Sequence, residues 1–420
     1  MSTENTPPAP RGTHPIVFLF LILPFGIMSG YLTVTVAYLL SHAGISTEKI
    51  ATLIAVSYIP HTWKFLWAPV ADTTLSRKAW YMLACAASAF GLFATGVLPA
   101  VESSIPMLTA IVLASNVAVT FLSMAVESLM AYSTSEEEKG RAGGWFQAGN
   151  LGGGGLGGGA GLWIAGHLPG AWLPGAVLAA VCLLCCIALA FVPEPEAVHR
   201  SGGTWRNMGA VVKDLWHVAR SRRGYLGLLI CFLPIGSGAA SNLWSSIAGD
   251  WHATADTVAM VNGAMSGLVA AAGCIAGGYA CDRMDRKAAY GLFGVLMALC
   301  AVAMALAPRT PATYVWFVMI YSFISGLTYA GFSAVVLEAI GHGAAATKYS
   351  LFASLSNMPI AYMTAVEGWA HTRWGGSVML YSEAVIGLAG LLTFIGLAAI
   401  SKRTVKAPSL TADGLVGDAS

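Results

Sequence analysis

The sequence predicts an all-α polytopic membrane protein, with twelve transmembrane helices arranged as two pseudo-symmetric six-helix bundles. Three observations carry that prediction. Apolar residues make up 56% of the 420-residue chain and charged residues only 10%, whereas a soluble globular chain carries about 25% charged side chains. Twelve stretches reach the roughly 20 mainly apolar residues that a helix needs to cross a bilayer. The basic residues crowd onto alternate connections between those stretches, as the positive-inside rule requires. The same composition excludes other classes. With 22 Lys+Arg against 20 Asp+Glu the net charge is +2, which leaves no basic excess for nucleic acid. The 48 glycines are too irregular for collagen but suit membrane helices, which tolerate and use glycine.

The predicted helices run over 15–40, 50–71, 79–100, 106–130, 142–167, 171–192, 224–247, 256–280, 288–307, 312–340, 349–371 and 377–400. The first is too long for a signal-peptide core and no small-residue cleavage site follows it, so it reads as an uncleaved helix. With both termini cytoplasmic, eighteen basic residues fall inside, among them Arg77, Lys78, Lys139, Arg141, Arg283, Arg286, Lys287 and Lys348. Only Lys49, Arg309 and Arg373 fall outside, and Lys64 alone lies within a span. An odd number of helices places the later clusters on the wrong side.

The longest inside connection, 193–223, divides the chain into an N-terminal bundle over 14–192 and a C-terminal bundle over 224–403. Within it Trp205, Met208, Val212, Leu215, Trp216 and Ala219 recur at helical spacing, opposite Arg206, Lys213 and Arg220. This pattern predicts an amphipathic helix on the inner membrane surface. Residues 1–13 and 404–420 are short polar tails expected to be disordered.

The halves echo each other. The connection after helix 2 reads Ala71-Asp72-Thr73-Thr74-Leu75-Ser76-Arg77-Lys78, and that after helix 8 reads Gly278-Tyr279-Ala280-Cys281-Asp282-Arg283-Met284-Asp285-Arg286-Lys287. Helices 4 and 10 each place one glutamate, Glu127 and Glu338, near the inside end. On these residues the chain resembles the major facilitator superfamily, whose helix 8–9 signature is a glycine, three residues, Asp-Arg and a basic pair. Lys64-Phe65-Leu66-Trp67-Ala68-Pro69, ending helix 2, and Ala346-Thr347-Lys348-Tyr349-Ser350-Leu351-Phe352-Ala353-Ser354-Leu355-Ser356, opening helix 11, resemble more narrowly the peptide/acetyl-coenzyme A transporter family. That family includes the muropeptide permease and the siderophore permeases for rhizobactin and pyochelin. The resemblance implies import of a bulky polar solute driven by the proton gradient across a bacterial cytoplasmic (inner) membrane. The muropeptide permease has further spans, so twelve favour the shorter siderophore-permease type. Ser123 stands where family members tend to carry a second acid one turn before the position of Glu127.

Ionisable groups within a bilayer are costly and so mark function. Here they are His61, Lys64, Glu127, Glu338, Glu367 and Glu383. Glu367 and Glu383 fall near the outer ends of helices 11 and 12 and are expected to reach interfacial water. Lys64 and Glu127 lie at similar depth, where each offsets the desolvation of the other. Two readings of Glu127 stay open: it carries a proton beside a substrate-binding Lys64, or it joins a cytoplasmic latch with Asp72, Arg77, Asp282, Arg283, Arg286 and Glu338. His61 titrates in a range suited to proton transfer. Tyr31, Asn116, Gln147, Asn150, Asn242, Asn262 and Asn357 are candidate cavity-lining groups, since amides hydrogen-bond polar solutes as well as gluing helices together.

Helix 5 carries Gly149 and a near-continuous glycine run from Gly152 to Gly161. No Lys-Ser/Thr follows and no strand precedes it, so it is neither a phosphate loop nor a dinucleotide loop. Gly153, Gly157 and Gly161 are expected to pack against Gly263, Gly267, Gly273 and Gly277 of helix 8, because small residues let backbones approach closely. The eight cysteines fall within or at the edges of spans and read as inert thiols. The histidines form no ligand cluster, so no metal and no cofactor are expected. Without an intramembrane nucleophile–base pair the chain does not read as an enzyme. A secondary importer acting as a monomer on a small solute, with protons, in the lipid bilayer is the leading expectation. An exporter of the same superfamily and a transporter-like sensor are the alternatives.

Overall fold

A computed structural model describes residues 13–45, 47–194, 220–340 and 345–406, together with 213, 216 and 217. Among these residues every regular element is helical, and they form twelve successive long helices. We label them α1 (17–42), α2 (47–73), α3 (Arg77–Val97), α4 (Ile105–Ser133), α5 (Lys139–His167) and α6 (Leu173–Phe191). The second half comprises α7 (222–251), α8 (255–283), α9 (Arg286–Leu306), α10 (Pro311–Ile340), α11 (Ala345–Trp374) and α12 (Gly376–Lys406). Each coincides with a predicted helix. The tails at 1–12 and 407–420 and most of the 193–223 connection lie outside the described residues. Within that connection the Arg220 guanidinium lies 4.7 Å from the Trp216 indole centroid, so Arg220 lies beside Trp216 and not opposite it, as residues four apart on a helix do.

Eight of the twelve are long and apolar enough to cross a membrane by length and composition. The exceptions are α2, α5, α7 and α11, each for a local reason. Helix α2 contains Pro60, tightens to a 3-10 turn at Lys64–Leu66 and restarts at Ala68–Thr73 with Pro69 in the first turn, where a missing N–H is harmless. In α5 glycine stands where a span normally carries aliphatic side chains. Helix α7 unwinds after Phe232: Pro234 is followed by Gly236 and Gly238 at φ 57 and 69, a left-handed geometry that a Cβ opposes. It resumes as short turns over Ala239–Asn242, Trp244–Ile247 and Ala248–Trp251. Helix α11 carries Ser350, Ser354, Ser356 and Asn357 within eight residues, which lowers its mean hydropathy. Outward-facing Phe90, Phe191, Leu306, Trp316 and Leu392 remain exposed, as expected where the surrounding solvent is hydrocarbon.

The two halves repeat at atomic detail. Ser76 Oγ accepts from the Ala79 amide (3.2 Å) and Asp285 Oδ1 accepts from the Ala288 amide (2.9 Å), capping α3 and α9. One turn on, Tyr81 donates its hydroxyl to the Leu21 carbonyl of α1 (3.0 Å), and Tyr290 donates to Ile235 of α7 (2.9 Å). A five-residue repeat underlies both: Arg77-Lys78-Ala79-Trp80-Tyr81 and Arg286-Lys287-Ala288-Ala289-Tyr290.

The glycine pattern of α5 serves two partners rather than one. Cβ atoms at Gly153 and Gly157 would lie 2.7 and 2.2 Å from the carbonyls of Leu23 and Ile27, and one at Gly161 would lie 2.5 Å from Thr35 Oγ1. All three are on α1, so the expectation that they face helix 8 is corrected. Their four-residue spacing holds them on one side, and that side lies inside the N-terminal half. The α5–α8 seam uses other glycines: Gly140 and Gly144 abut Gly278, and Gly267 abuts Leu151 and Gly155. Gly273 and Gly277 are also reassigned, since they meet Phe323 and Leu327 of α10. The contacts of Gly263 lie outside the described residues.

Candidate functional site

A cavity of about 590 Å³ lies between the halves. The N-terminal half contributes Phe25 and Ser29 of α1, Tyr58, His61 and Lys64 of α2, Asn116, Ser123 and Glu127 of α4, and Gln147 and Asn150 of α5. The other half contributes Ser237 and Asn242 of α7, Thr328 and Tyr329 of α10, and Ser356 and Asn357 of α11. The broken helices shape it: the 3-10 turn of α2 aims Lys64 inward, and the unwound stretch of α7 presents Gly236 and Ser237 to the space. Tyr31 and Asn262 are not among the lining residues. Tyr31 is buried beside α5, where Gly161 leaves room for its ring. Asn262 donates to the Tyr314 hydroxyl (3.0 Å), which itself donates to the Trp244 carbonyl (2.9 Å), so it ties α8 to α10 and α7.

Lys64 Nζ and Glu127 Oε1 lie 2.7 Å apart with both side chains buried. The second carboxylate oxygen accepts from Ser350 of α11 at 3.3 Å. One buried carboxylate thus joins a cation of its own half to a hydroxyl of the other. Buried charges of this kind are tolerated only when paired and hydrogen-bonded. His61 Nε2 lies 3.0 Å from Asn116 Oδ1, while the Asn116 amide donates to the Val112 carbonyl (2.8 Å). The acceptor oxygen of Asn116 selects the tautomer of His61 with its proton on Nε2. A chain of polar groups also crosses between the halves. Asn150 donates to Gln147 (3.1 Å), Gln147 donates to Ser333 of α10 (2.8 Å), and Ser333 lies 3.0 Å from the Tyr349 hydroxyl of α11.

The face holding the basic connections is bolted across the halves. Asp282 accepts from the backbone N–H groups of Gly140 (2.7 Å) and Arg141 (3.1 Å) and from Arg141 Nε (2.8 Å). A carboxylate of one half therefore sits on the N-terminal turn of α5 of the other, where the helix dipole favours negative charge. Glu338 holds Lys287 (2.6 Å) and Arg286 (3.4 Å) within the C-terminal half. Arg286 reaches over to the carbonyl of Glu136, and Lys139 Nζ donates to the Leu337 carbonyl (3.2 Å).

Three predicted latch members do not take that place. Glu127 pairs with Lys64 at the cavity, because its depth puts it out of reach of the connection. Arg77 donates to Ser128 (2.8 Å) and lies over the Tyr132 ring, all within one half. Arg283 lies over Tyr279 of its own helix. The Asp72 side chain lies outside the described residues. Sequence reasoning missed Arg141, Glu136, Lys287, Ser333, Tyr349 and Ser350. The last two open helix 11, and only the packing of that helix against α10 and α4 brings them to Ser333 and Glu127.

The profile of the Major Facilitator Superfamily matches residues 16–364. The chain belongs to the major facilitator superfamily. Solved structures of that fold agree with it. The human organic anion transporter MFSD10 (TETRAN) is 16% identical, covering 90% of this chain and 98% of its own, with a TM-score of 0.69. The fucose:proton symporter FucP of E. coli is 14% identical over 91% and 98%, with a TM-score of 0.70. The proton:xylose symporter XylE is 13% identical over 91% and 95%, with a TM-score of 0.66. Among curated protein sequences nothing matches. The cavity lies between the two bundles of that fold.

Proposed function

We propose that this major facilitator protein is a proton-coupled importer of a polar solute, working by alternating access as a monomer. The carrying observation is the cavity between the halves, where amides and hydroxyls converge on one buried Lys64–Glu127 pair that also engages Ser350 of the opposite half. A solute seated there touches both halves, so its binding energy is available to favour one arrangement over the other. The bias of basic residues supports placing the bolted face and both termini in the cytoplasm of a bacterial cell. Coupling to protons is supported by the intramembrane ionisable groups beside the cavity, and it is the activity of two of the similar structures.

The solute class we favour is the siderophore type ahead of the muropeptide type. A volume of about 590 Å³ sits mid-range for small-molecule sites, and the lining offers hydrogen-bond donors and acceptors around one cation. Uptake of radiolabelled ferric siderophore and of anhydro-muropeptide, compared in cells with and without the chain, tests both parts. Siderophore accumulation abolished by a protonophore is the expected result. Accumulation of neither solute, or uptake indifferent to the proton gradient, overturns the reading, and enhanced efflux points instead to an exporter.

A further inference from the structure

Away from the cavity floor, the C-terminal half holds two further acids that the transport site does not use. Glu367 of α11 is fully buried, and neither of its carboxyl oxygens has a hydrogen-bond partner. Glu383 of α12 is 4% exposed. One of its oxygens accepts from the Tyr321 hydroxyl of α10 and the other is unpartnered. This corrects the expectation that the pair reaches interfacial water: α10, α11, α12 and the returning turns of α7 close over it. Each acid lies seven residues from the helix end at the non-basic face, about 10 Å deep at 1.5 Å per residue.

We infer that Glu367, Glu383 and Tyr321 form a proton-binding site of the C-terminal half, loaded and emptied in step with movement of the unwound segment of α7. Packed around these acids are Tyr321 of α10, whose hydroxyl donates to Glu383, Cys300 of α9 and the backbone of Ala240 of α7. Trp244 of α7 lies edge-on to Tyr321, ring centroids 4.9 Å apart, and its buried Nε1–H has no partner. None of these neighbours is a cation. A buried carboxylate with an unpartnered oxygen and no cation beside it lacks solvation, so a proton is the least costly occupant of each. Among the described residues no group of three or more His, Cys, Asp or Glu side chains stands together to hold a metal ion.

The site is wired to the cavity and to the surface. Asn242, which lines the cavity, donates to Thr364 (2.9 Å), one turn before Glu367 on α11. The same α7 segment carries Ser237 into the cavity with its hydroxyl unpartnered. One turn beyond Glu367 stands His371, partly exposed, with Nε2 3.0 Å from Asp250; Arg309 approaches the same carboxylate at 3.8 Å. A proton arriving at the non-basic face thus meets His371, then Glu367, and its charge is felt by the segment that shapes the solute cavity.

The inference rests on the proton-coupled reading above but is tested separately from it. Infrared spectra of the full chain in lipid vesicles report the C=O stretch of a protonated carboxyl, which a carboxylate lacks. The wild type is expected to show that band at neutral pH and to lose it on titration to alkaline pH. Glu367→Gln and Glu383→Gln are each expected to diminish the band, Glu367→Asp to retain it, and Glu127→Gln to leave it in place, since that acid is ion-paired. Maleimide labelling of a Ser237→Cys variant is expected to change with pH across the same range and to become pH-independent when Glu367→Gln is added. Absence of the band, a band unaffected by either Gln variant, a band displaced by sodium instead of by pH, or labelling that never follows pH overturns the proposal. If uptake proves proton-driven while the band is absent, the importer reading stands and this site falls. If the band behaves as described but no solute is taken up, the reverse holds.

Discussion

Lys64 and Glu127 are held at 2.7 Å in a setting where neither tolerates isolation. Replacing Lys64 with Met leaves Glu127 with only the 3.3 Å hydroxyl of Ser350, and breaking a buried pair by removing one partner costs about 3–5 kcal/mol. Thermal unfolding of the purified protein is expected to show that loss for Lys64→Met and for Glu127→Met. The double variant should recover most of it, because two apolar side chains of similar volume need no compensation. Solute uptake should fail in all three. A double variant as unstable as the single ones contradicts the pairing as a unit. The residue types and their shared depth were legible in the sequence. Ser350 was not, since a serine two hundred residues away signals nothing until the halves close.

At the scale of elements, α5 is a helix stripped of side chains on two faces. A methyl group at Gly157 would meet the Ile27 carbonyl at 2.2 Å, whereas one at Gly166 meets nothing within 4 Å. Gly157→Ala is therefore expected to lower the melting temperature and the yield of folded protein in membranes, while Gly166→Ala leaves both near wild type. On the other face a methyl at Gly144 would meet the Cys274 carbonyl at 2.6 Å. Gly144→Ala should wedge the α5–α8 seam and raise labelling of Cys281 near the basic face, with the N-terminal half still folded. Equal effects from Gly157 and Gly144 on that labelling contradict the division of faces. The glycine run announced close packing from sequence alone. Its partners were undecided, because several helices lie within reach of a bare backbone and only their arrangement selects α1 on one side and α8 on the other.

For the whole molecule, we propose that the bonds across the basic face set which side of the cavity is shut. Asp282 takes three donors from the start of α5, and Asp282→Asn keeps the shape while removing the charge that the helix terminus and Arg141 favour. The expected outcome is normal membrane insertion with faster maleimide labelling of Cys281 and impaired uptake. Unchanged labelling and full uptake contradict a latch role. Charge reversal at Arg141, by Arg141→Glu, should reproduce that loss, since it sets two carboxylates against each other.

Composition, span lengths and the partition of basic residues determined the class, the twelve helices and the two-fold repeat, because the bilayer imposes those requirements on each segment independently of its neighbours. The signature around Asp282 and the intramembrane charges were equally visible in the chain. Tertiary structure alone decided the partners: that Glu127 belongs with Lys64 and not with the latch, that Tyr31 and Asn262 pack away from the cavity, and that Glu367 and Glu383 are sealed together below the surface. Such facts depend on which helices lie side by side and how each is rotated, and hydropathy is blind to both, since an apolar face looks the same whether it meets lipid or another helix.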